Sequence, residues 1–240
     1  MLRYKNLKKK SKDLLAATGL TAEEFEALLV VFAECYAAST PEDQTVEGKP
    51  RQRQRGGGGK ATLTTMEDKL LFILVYEKTY PLQTMLGLQF GLSQGRTNIW
   101  IHRLLPVVRQ ALAQMKLTPE RDGHAVAMSE LANEGGADLV IDGTERRRQR
   151  PQDEAQQQAQ YSGKKKAHTD KNLVLTNRHS QKVVYLSPTQ PGKKHDKKLA
   201  DEAAIVYPRG ATLGKDTGFQ GYEPLGVLAW QPKKSPEVKT

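Results

Sequence analysis

The stretch Leu139-Val-Ile-Asp-Gly-Thr-Glu-Arg-Arg-Arg-Gln-Arg150 passes from apolar residues to a carboxylate and then into a run of arginines. Its apolar part is typical of a buried β-strand. An aspartate at the end of a buried strand is costly unless a cation compensates its charge, and a metal ion is a usual reason for one. Asp142 is therefore a candidate metal ligand, although a single aspartate in such a place is more often a turn or capping residue.

A second aspartate follows an apolar stretch in the same way, in Ala211-Thr-Leu-Gly-Lys-Asp-Thr-Gly-Phe-Gln-Gly221. The glycines after Asp216 permit a tight turn beyond a strand end. Two such carboxylates side by side could hold one or two Mg²⁺ (or Mn²⁺) ions, which activate a hydroxyl and stabilise the leaving oxygen at a phosphodiester. The surrounding arginines and lysines would then hold the substrate backbone.

The charge of the whole chain also points to a polyanionic partner. The 240 residues include 37 Lys and Arg against 27 Asp and Glu, a formal net charge of +10, and the cations occur in blocks. The single cysteine, Cys35, cannot form an internal disulfide, so a reducing interior such as cytoplasm or nucleus is expected. The longest apolar run covers residues 70–76, far short of a membrane span.

The N-terminal half has helical patterns. Thr21 and Glu24 form a capping box that predicts a helix over 22–38, whereas the Pro, Gln, Arg and Gly composition of 41–60 predicts a linker. A second helix is expected from about residue 65 to just before Pro81. A third covers 82–90, and Ser93 is the predicted N-cap of a fourth.

The last two of these helices have the pattern of a helix-turn-helix. Gly87 lies inside the first helix and Gly91 in the turn, and apolar residues at 86, 90, 92 and 100 would lock the second helix down. The second helix presents polar side chains able to reach base edges and phosphates in a major groove: Gln94, Arg96, Asn98 and Arg103. An ordinary helical hairpin is the alternative, and the basic charge favours DNA.

After Pro119 the pattern changes to short β-type runs at 139–141, 173–176, 183–186, 211–213 and 226–230, with a helical segment over 196–206 between the third and fourth. Two catalytic motifs fail on context. Gly91-Leu-Ser-Gln-Gly95 has a helical flank where a nucleophile elbow needs a strand, and Gly56-Gly-Gly-Gly-Lys60 lacks the first glycine and the hydroxyl of a phosphate loop.

Several segments together resemble one known family. The region Thr65 to Leu112 resembles the helix-turn-helix domain of transposases of the bacterial insertion sequence 5 type. Five further segments resemble the catalytic part of the same family: Ile141-Asp-Gly-Thr-Glu-Arg146, Tyr161-Ser-Gly-Lys-Lys-Lys166, His168-Thr169, His195-Asp-Lys197 and Asp216-Thr-Gly-Phe-Gln-Gly221. The resemblance covers the chain from about Lys60 to Lys234.

This resemblance implies an α+β multidomain protein. It predicts an N-terminal helical region and basic linker over 1–55, an all-α helix-turn-helix DNA-binding domain over 60–118, and an RNase H-like α/β catalytic domain over 135–240. Asp142 and Asp216 match the two aspartates of an Asp-Asp-Glu triad that binds Mg²⁺. The cations implied to contact DNA are Arg146, Arg147, Lys164, Lys165 and Lys166. The expected partners are the terminal inverted repeats of the transposon and target DNA, bound by a dimer or larger assembly.

The chain departs from the family at its third carboxylate. The family glutamate lies on a helix well downstream of the second aspartate, whereas Glu223 and Glu237 are the acidic residues that follow Asp216 here. We therefore expect a catalytic domain that is incomplete at its C-terminus and inactive alone, with divergence from the family after Lys234. The alternative functions are a non-catalytic DNA-binding fragment that represses transposition, and a basic RNA-binding protein.

Overall fold

Six helices lie in the described part of the N-terminal half. The computed structural model describes residues 1–39, 49–50 and 62–232. The helices are α1 (Tyr4–Leu7), α2 (Ser11–Thr18), α3 (Ala22–Ser39), α4 (Met66–Thr79), α5 (Gln83–Phe90) and α6 (Gln94–Gln114). The sequence predicted the last four within a few residues and did not predict α1 and α2, neither of which begins with a side-chain cap. Most of the predicted linker lies outside the described residues.

Side-chain caps explain where the longer helices begin. The Glu24 amide donates to Thr21 Oγ1 at 3.2 Å and the Thr21 amide donates to the Glu24 carboxylate at 2.8 Å, which is the predicted capping box. Thr65 accepts from the amide of Asp68 at 3.1 Å, and Ser93 accepts from that of Arg96 at 3.4 Å. Each cap satisfies an amide that the helix itself leaves without a partner.

The six helices form one unit, Met1–Leu117, around a single core. Helix α4 is central, because every residue from Leu70 to Val75 is buried, and a helix that is apolar all round needs partners on all sides. The N-terminus is tied to it by the Tyr4 amide, which donates to Asp68 Oδ1 at 2.8 Å. The regions 1–55 and 60–118, which the sequence suggested as separate, therefore share their core as far as the described residues extend.

Helices α5 and α6 meet at a sharp turn that two glycines permit. Gly91 caps α5 with φ of 71°, a left-handed conformation that glycine adopts without strain. At Gly87 a Cβ atom would lie 2.5 Å from the Leu92 carbonyl oxygen and 2.9 Å from Thr97 Oγ1. The sequence predicted a small residue where α5 and α6 cross. The structure agrees, because a side chain at Gly87 would overlap neighbouring atoms of the turn and of α6.

The helix α6 is 21 residues long and contains a proline, Pro106, past its middle. Proline has no amide hydrogen, so the carbonyl of His102 lacks its usual helical partner. The residues behind the proline anchor the helix, since Val107, Val108 and Ala111 are all buried in the core.

The second unit, Thr118–Thr240, is built on a mixed sheet. Its strands are β1 (Asp138–Arg147), β2 (Tyr161–Ser162), β3 (Ala167–Asn177), β4 (Val183–Leu186), β5 (Gln190–Pro191), β6 (Thr212–Lys215) and β7 (Leu228–Trp230), and its helices are α7 (Glu130–Asn133), α8 (Glu154–Gln160) and α9 (Asp196–Ala203). Strand β3 pairs antiparallel with β1, β2, β4 and β5, whereas β6 is parallel to β1 and β7.

The sequence expectation for β1 was too short. The strand does not end at Asp142 but continues through Arg147, paired residue by residue with β3 as far as Thr169. The polar half is held by side-chain contacts rather than by burial: Arg146 Nη1 donates to Asn172 Oδ1 at 2.5 Å, and the Arg148 guanidinium lies 2.9 Å from Asp170. Hydrophobic pattern could not reveal a strand that leaves the core.

One face of the sheet carries the core of this unit. Leu139, Ile141, Leu173, Leu175 and Leu213 are each at most 1% exposed, and α9 covers them with Leu199 and Ala200. Because successive strand residues point to opposite faces, Val140 and Asp142 lie on the other face. In the described residues of the chain, no helix is long and apolar enough to cross a membrane.

Gly87→Ala should destabilise the first unit by about 1–3 kcal/mol, because the new Cβ must displace the Leu92 carbonyl or the Thr97 hydroxyl. Native-state hydrogen exchange of the α4 amides reports the stability of this unit alone. Faster exchange is the expected result.

Gly95→Ala is the matched control, since a Cβ there meets no atom within 4 Å and alanine is the better helix former. Its α4 amides should exchange no faster than in the parent protein. If both variants behave alike, the close crossing of α5 and α6 is not what Gly87 provides.

Candidate metal centre and nucleic-acid interface

Asp142 and Asp216 are brought side by side by a strand register. Strands β1 and β6 are parallel, and the last paired residues of their ladder are Ile141 and Lys215. Asp142 follows Ile141 inside β1 and Asp216 follows Lys215 at the end of β6, so the two are neighbours on strands about 4.8 Å apart. Both are exposed. The backbone pairing of β1 with β6 is therefore what brings these two residues near each other.

Local hydrogen bonds orient both aspartates. Asp142 Oδ1 accepts from the amide of Gly143 at 2.7 Å. Asp216 caps a single 3₁₀ turn, Thr217–Phe219, by accepting from the amide of Gly218 at 2.9 Å. Each carboxylate keeps its other oxygen free of hydrogen bonds within the described residues, so both present an unused acceptor where the parallel ladder ends.

Lys215 fixes the loop that carries Asp216. Its side chain is buried, and its Nζ donates to the carbonyl of Tyr222 and lies 2.7 Å from the Glu223 carboxylate. A buried ammonium needs such partners. Glu223 thus neutralises Lys215 and lies in a loop, as expected from the sequence, while Glu237 lies outside the described residues.

Asp196 is a third carboxylate near this place that was not assigned a role from the sequence. It begins α9, and a Cβ on Gly143 would lie 2.4 Å from its Oδ1, while a Cβ on Gly218 would lie 2.9 Å from its Oδ2. The two glycines next to the candidate ligands therefore make room for it. The signal was present in the segment His195-Asp-Lys197, but a helix start gives an aspartate an ordinary capping reason.

Lys171 holds Asp196 from the β3 side. Its Nζ lies 3.1 Å from Asp196 Oδ1 and donates to the Lys194 carbonyl at 3.0 Å, and its side chain is 10% exposed. Asp196 Oδ1 is inaccessible to solvent but accepts no well-directed hydrogen bond, because the Lys171 contact is an ion pair of poor direction. This oxygen is held in place with acceptor capacity unused.

The donor set fits a hard divalent cation. Mg²⁺ prefers carboxylate oxygens and is commonly bound through one or two of them together with substrate phosphates and water. Asp142 and Asp216 supply two such groups, and the unused oxygen of Asp196 lies close to Gly143, the residue after Asp142. Over residues 1–39, 49–50 and 62–232, no three His, Cys, Asp or Glu side chains form a complete metal-ligand cluster.

Cations continue from Asp142 along β1. Residues two apart on a strand share a face, so Asp142, Arg146 and Arg148 point to the same side of the sheet. Arg146 is fixed by Asn172 and by Thr189, whose Oγ1 accepts at 3.1 Å. The predicted DNA contact Arg147 is exposed on the other side of the strand.

The predicted lysine cluster lies in the turn between β2 and β3. Lys164, Lys165 and Lys166 are all exposed, and the Lys165 amide donates to Ser162 Oγ at 3.3 Å. Nearby, burial raises the pKa of Glu145, but hydrogen bonds from Ser162 and Thr169 outweigh it and the net pKa is lowered. Glu145 therefore stays ionised among these cations.

The exposed side of α6 carries part of the predicted DNA-reading set. Gln94 and Arg96 are exposed in its first turn, and Asn98 is half-buried. Two residues that were not predicted share the exposed side: Ile99, which is 64% exposed, and His102. An apolar side chain exposed there can contact a thymine methyl group.

Arg103 has a packing role in the structure. Its guanidinium lies 5.2 Å from the ring centroid of Tyr36 and 5.4 Å from that of Trp100, and its Nε is buried without a hydrogen bond in the described residues. These distances are typical of cation–π contacts. The predicted contact of Arg103 with DNA stays a prediction, and no local pattern indicated its aromatic partners.

Comparison with known proteins identifies both regions. Residues 61–114 match the family described as the helix-turn-helix of DDE superfamily endonuclease, and residues 141–237 match DDE superfamily endonuclease. The first range contains α4 to α6, and the second contains Asp142, Asp196 and Asp216.

The chain is also similar to one curated protein whose name describes a transposase. The chain is 22% identical over 191 residues to a protein of Microchaete diplosiphon named probable transposase for insertion sequence element IS702. The alignment covers 80% of this chain and 66% of the relative. No solved structure matches the chain. Two segments of the chain, in this order, thus match the helix-turn-helix and the endonuclease of the DDE superfamily.

Proposed function

We propose that the protein is a DNA transposase that cleaves a phosphodiester at insertion-sequence ends and joins the freed 3′ hydroxyl to target DNA. The observation that carries the proposal is the register of β1 and β6, which makes Asp142 and Asp216 neighbours where the parallel ladder ends. Both reactions are in-line phosphoryl transfers, and a bound divalent metal supplies charge stabilisation at the attacking and leaving oxygens. The family match to 141–237 supports this chemistry.

The order of the strands supports an RNase H-like fold for the second unit. The main sheet runs β4, β3, β1, β6, β7, with antiparallel pairs on one side of β1 and parallel pairs on the other. In open sheets, ligands bind beyond the carboxyl ends of parallel strands where connections diverge. Asp142 and Asp216 have that position between β1 and β6.

The proposed duties of the protein residues follow from their contacts. Arg146 is pre-oriented by Asn172 and Thr189 to hold a backbone phosphate beside the carboxylates. Lys171 positions Asp196 against Gly143. We assign Asp142 and Asp216 as metal ligands and Asp196 as a positioning residue.

The partners proposed are double-stranded transposon ends and target DNA. The first unit has an exposed reading helix, and the resemblance to transposases of the insertion sequence 5 type points to terminal inverted repeats. Pairing two ends requires a dimer or larger assembly, acting on the nucleoid of a bacterium. A non-catalytic repressor of transposition is the second candidate, favoured by the presence of only two aligned ligands in the described residues.

Asp142→Asn and Asp216→Asn should each lower Mg²⁺-dependent nicking of inverted-repeat DNA by at least about a hundredfold, because each removes a charged ligand. DNA affinity should be nearly unchanged. A gel assay of nicking and a binding titration on the same DNA measure the two properties.

Asp201→Asn is the control, because Asp201 lies on the surface of α9 in an ion pair with Lys197. Nicking should survive that change. Parent protein that binds the repeats but never nicks them with Mg²⁺ or Mn²⁺ would support the repressor instead, and would agree with the inactivity expected from the missing third carboxylate.

Gly143→Ala should reduce nicking by about tenfold or more with little loss of DNA binding, because the added Cβ would meet Asp196 Oδ1 at 2.4 Å and push α9 away. Gly163→Ala is the matched control, since its Cβ meets nothing within 4 Å. Equal nicking by the two variants would remove Asp196 from the site.

Arg96→Ala should relax the choice of sequence, whereas Lys165→Ala should weaken binding to all duplexes alike and reduce the log-log salt slope by about 1. The measurement is affinity for repeat and scrambled duplexes over a range of salt. An unaltered preference for the repeat in the Arg96 variant would show that α6 does not read bases through it. No preference in the parent protein would point to the RNA-binding alternative.

A further inference from the structure

A cavity with a basic lining lies at the outer end of the β1–β3 pair, on the side away from Asp142. It has a volume of about 530 Å³, and its lining residues are Arg150, Gln157, Gln158, Tyr161, His168 and Lys193. None of these is a carboxylate, although acidic residues are common in the second unit. A volume of this size is typical of small-ligand sites, and the lining favours an anion with an aromatic part.

One wall offers an aromatic ring. Tyr161 on β2 is paired directly with His168 on β3, and their rings meet edge to face at 5.6 Å and 71°. The Tyr161 side chain remains 45% exposed. A partly exposed ring that is braced by its cross-strand neighbour is a platform on which a nucleobase can stack.

The lining also includes the guanidinium of Arg150, whose orientation is held by hydrogen bonds. Arg150 Nε donates to Gln157 Oε1 at 2.9 Å, and Gln157 Nε2 donates to the Pro151 carbonyl at 2.9 Å, which fixes the orientation of the amide. The two terminal nitrogens of Arg150 have no hydrogen bond within the described residues. Lys193 adds a second cation to the lining. Together they suit a phosphate.

The cavity shares a face of the sheet with Asp142. On β3, Val174 pairs with Asp142, and residues 172, 170 and 168 follow on the same face toward the cavity. Six residues of strand separate Val174 from His168, a distance of about 20 Å. Arg146 and Arg148 lie along the way. A duplex covers about 20 Å in roughly six base pairs.

We propose that this cavity binds one unpaired or extruded nucleotide of the DNA on which the carboxylates act, with its base against Tyr161 and its phosphate at Arg150 and Lys193. The proposal rests on the proposed function for the identity of the DNA. The cationic face that continues from Asp142 favours a nucleotide within a strand over a free one. Binding at the cavity then requires a distortion of the DNA about six base pairs from the scissile bond.

The test uses the full chain with Asp142→Asn, so that binding is read without cleavage. Its affinity is measured for inverted-repeat duplexes carrying one unpaired thymine, which is moved one position at a time around about six base pairs from the repeat end. The expected result is about tenfold tighter binding at one position than to perfect duplex. Tyr161→Ala should abolish that preference, and Tyr161→Phe should retain it.

Tyr80→Ala is the matched control, because Tyr80 is an exposed tyrosine of the first unit; it should keep the preference. Arg150→Gln should reduce affinity for the preferred duplex severalfold. The inference is overturned if no position of the unpaired thymine binds more tightly than perfect duplex, or if the preference survives Tyr161→Ala. It is also overturned if free thymidine monophosphate binds as tightly as the preferred duplex. Nicking of perfect duplex by the parent protein reports the proposed function separately.

Discussion

The parallel ladder between β1 and β6 is only four residues long, yet the position of the candidate site depends on it. The ladder ends at Ile141 and Lys215, so the two aspartates that follow these residues become neighbours although they are far apart in sequence. A slip by one residue would turn one of them to the opposite face. The register is secured by Leu139 and Leu213, which are fully buried in the same core.

Small residues and buried charges shape the surroundings of that edge. Gly143 and Gly218 leave room for the start of α9, while Lys215 anchors the following loop from inside. Neither feature contacts a substrate. Both are of the kind that supports a rigid site, in which ligand positions are determined by packing and hydrogen bonds behind them.

Sequence pattern predicted the helices that have caps and the strands that enter the core. The capping box at Thr21 and the N-cap at Ser93 are local signals, and both are present in the structure. Sequence pattern missed α1 and α2, which begin without a side-chain cap, and the outer half of β1, whose partners are polar. The contacts of Asp196 and Arg103 depend on residues distant in sequence, so composition and spacing could not supply them.

Buried residues attach α6 to the core on both sides of Pro106. Thr97, Ile101 and Leu104 are buried ahead of the proline, and Val107, Val108 and Ala111 are buried behind it. The hydrogen bond that proline removes from the His102 carbonyl is therefore lost in a helix that packing holds along its length. Such a helix presents Arg96 and Ile99 to solvent at an angle set by the helical core, so a fit to a groove has to come from bending of the DNA or from movement of the whole unit.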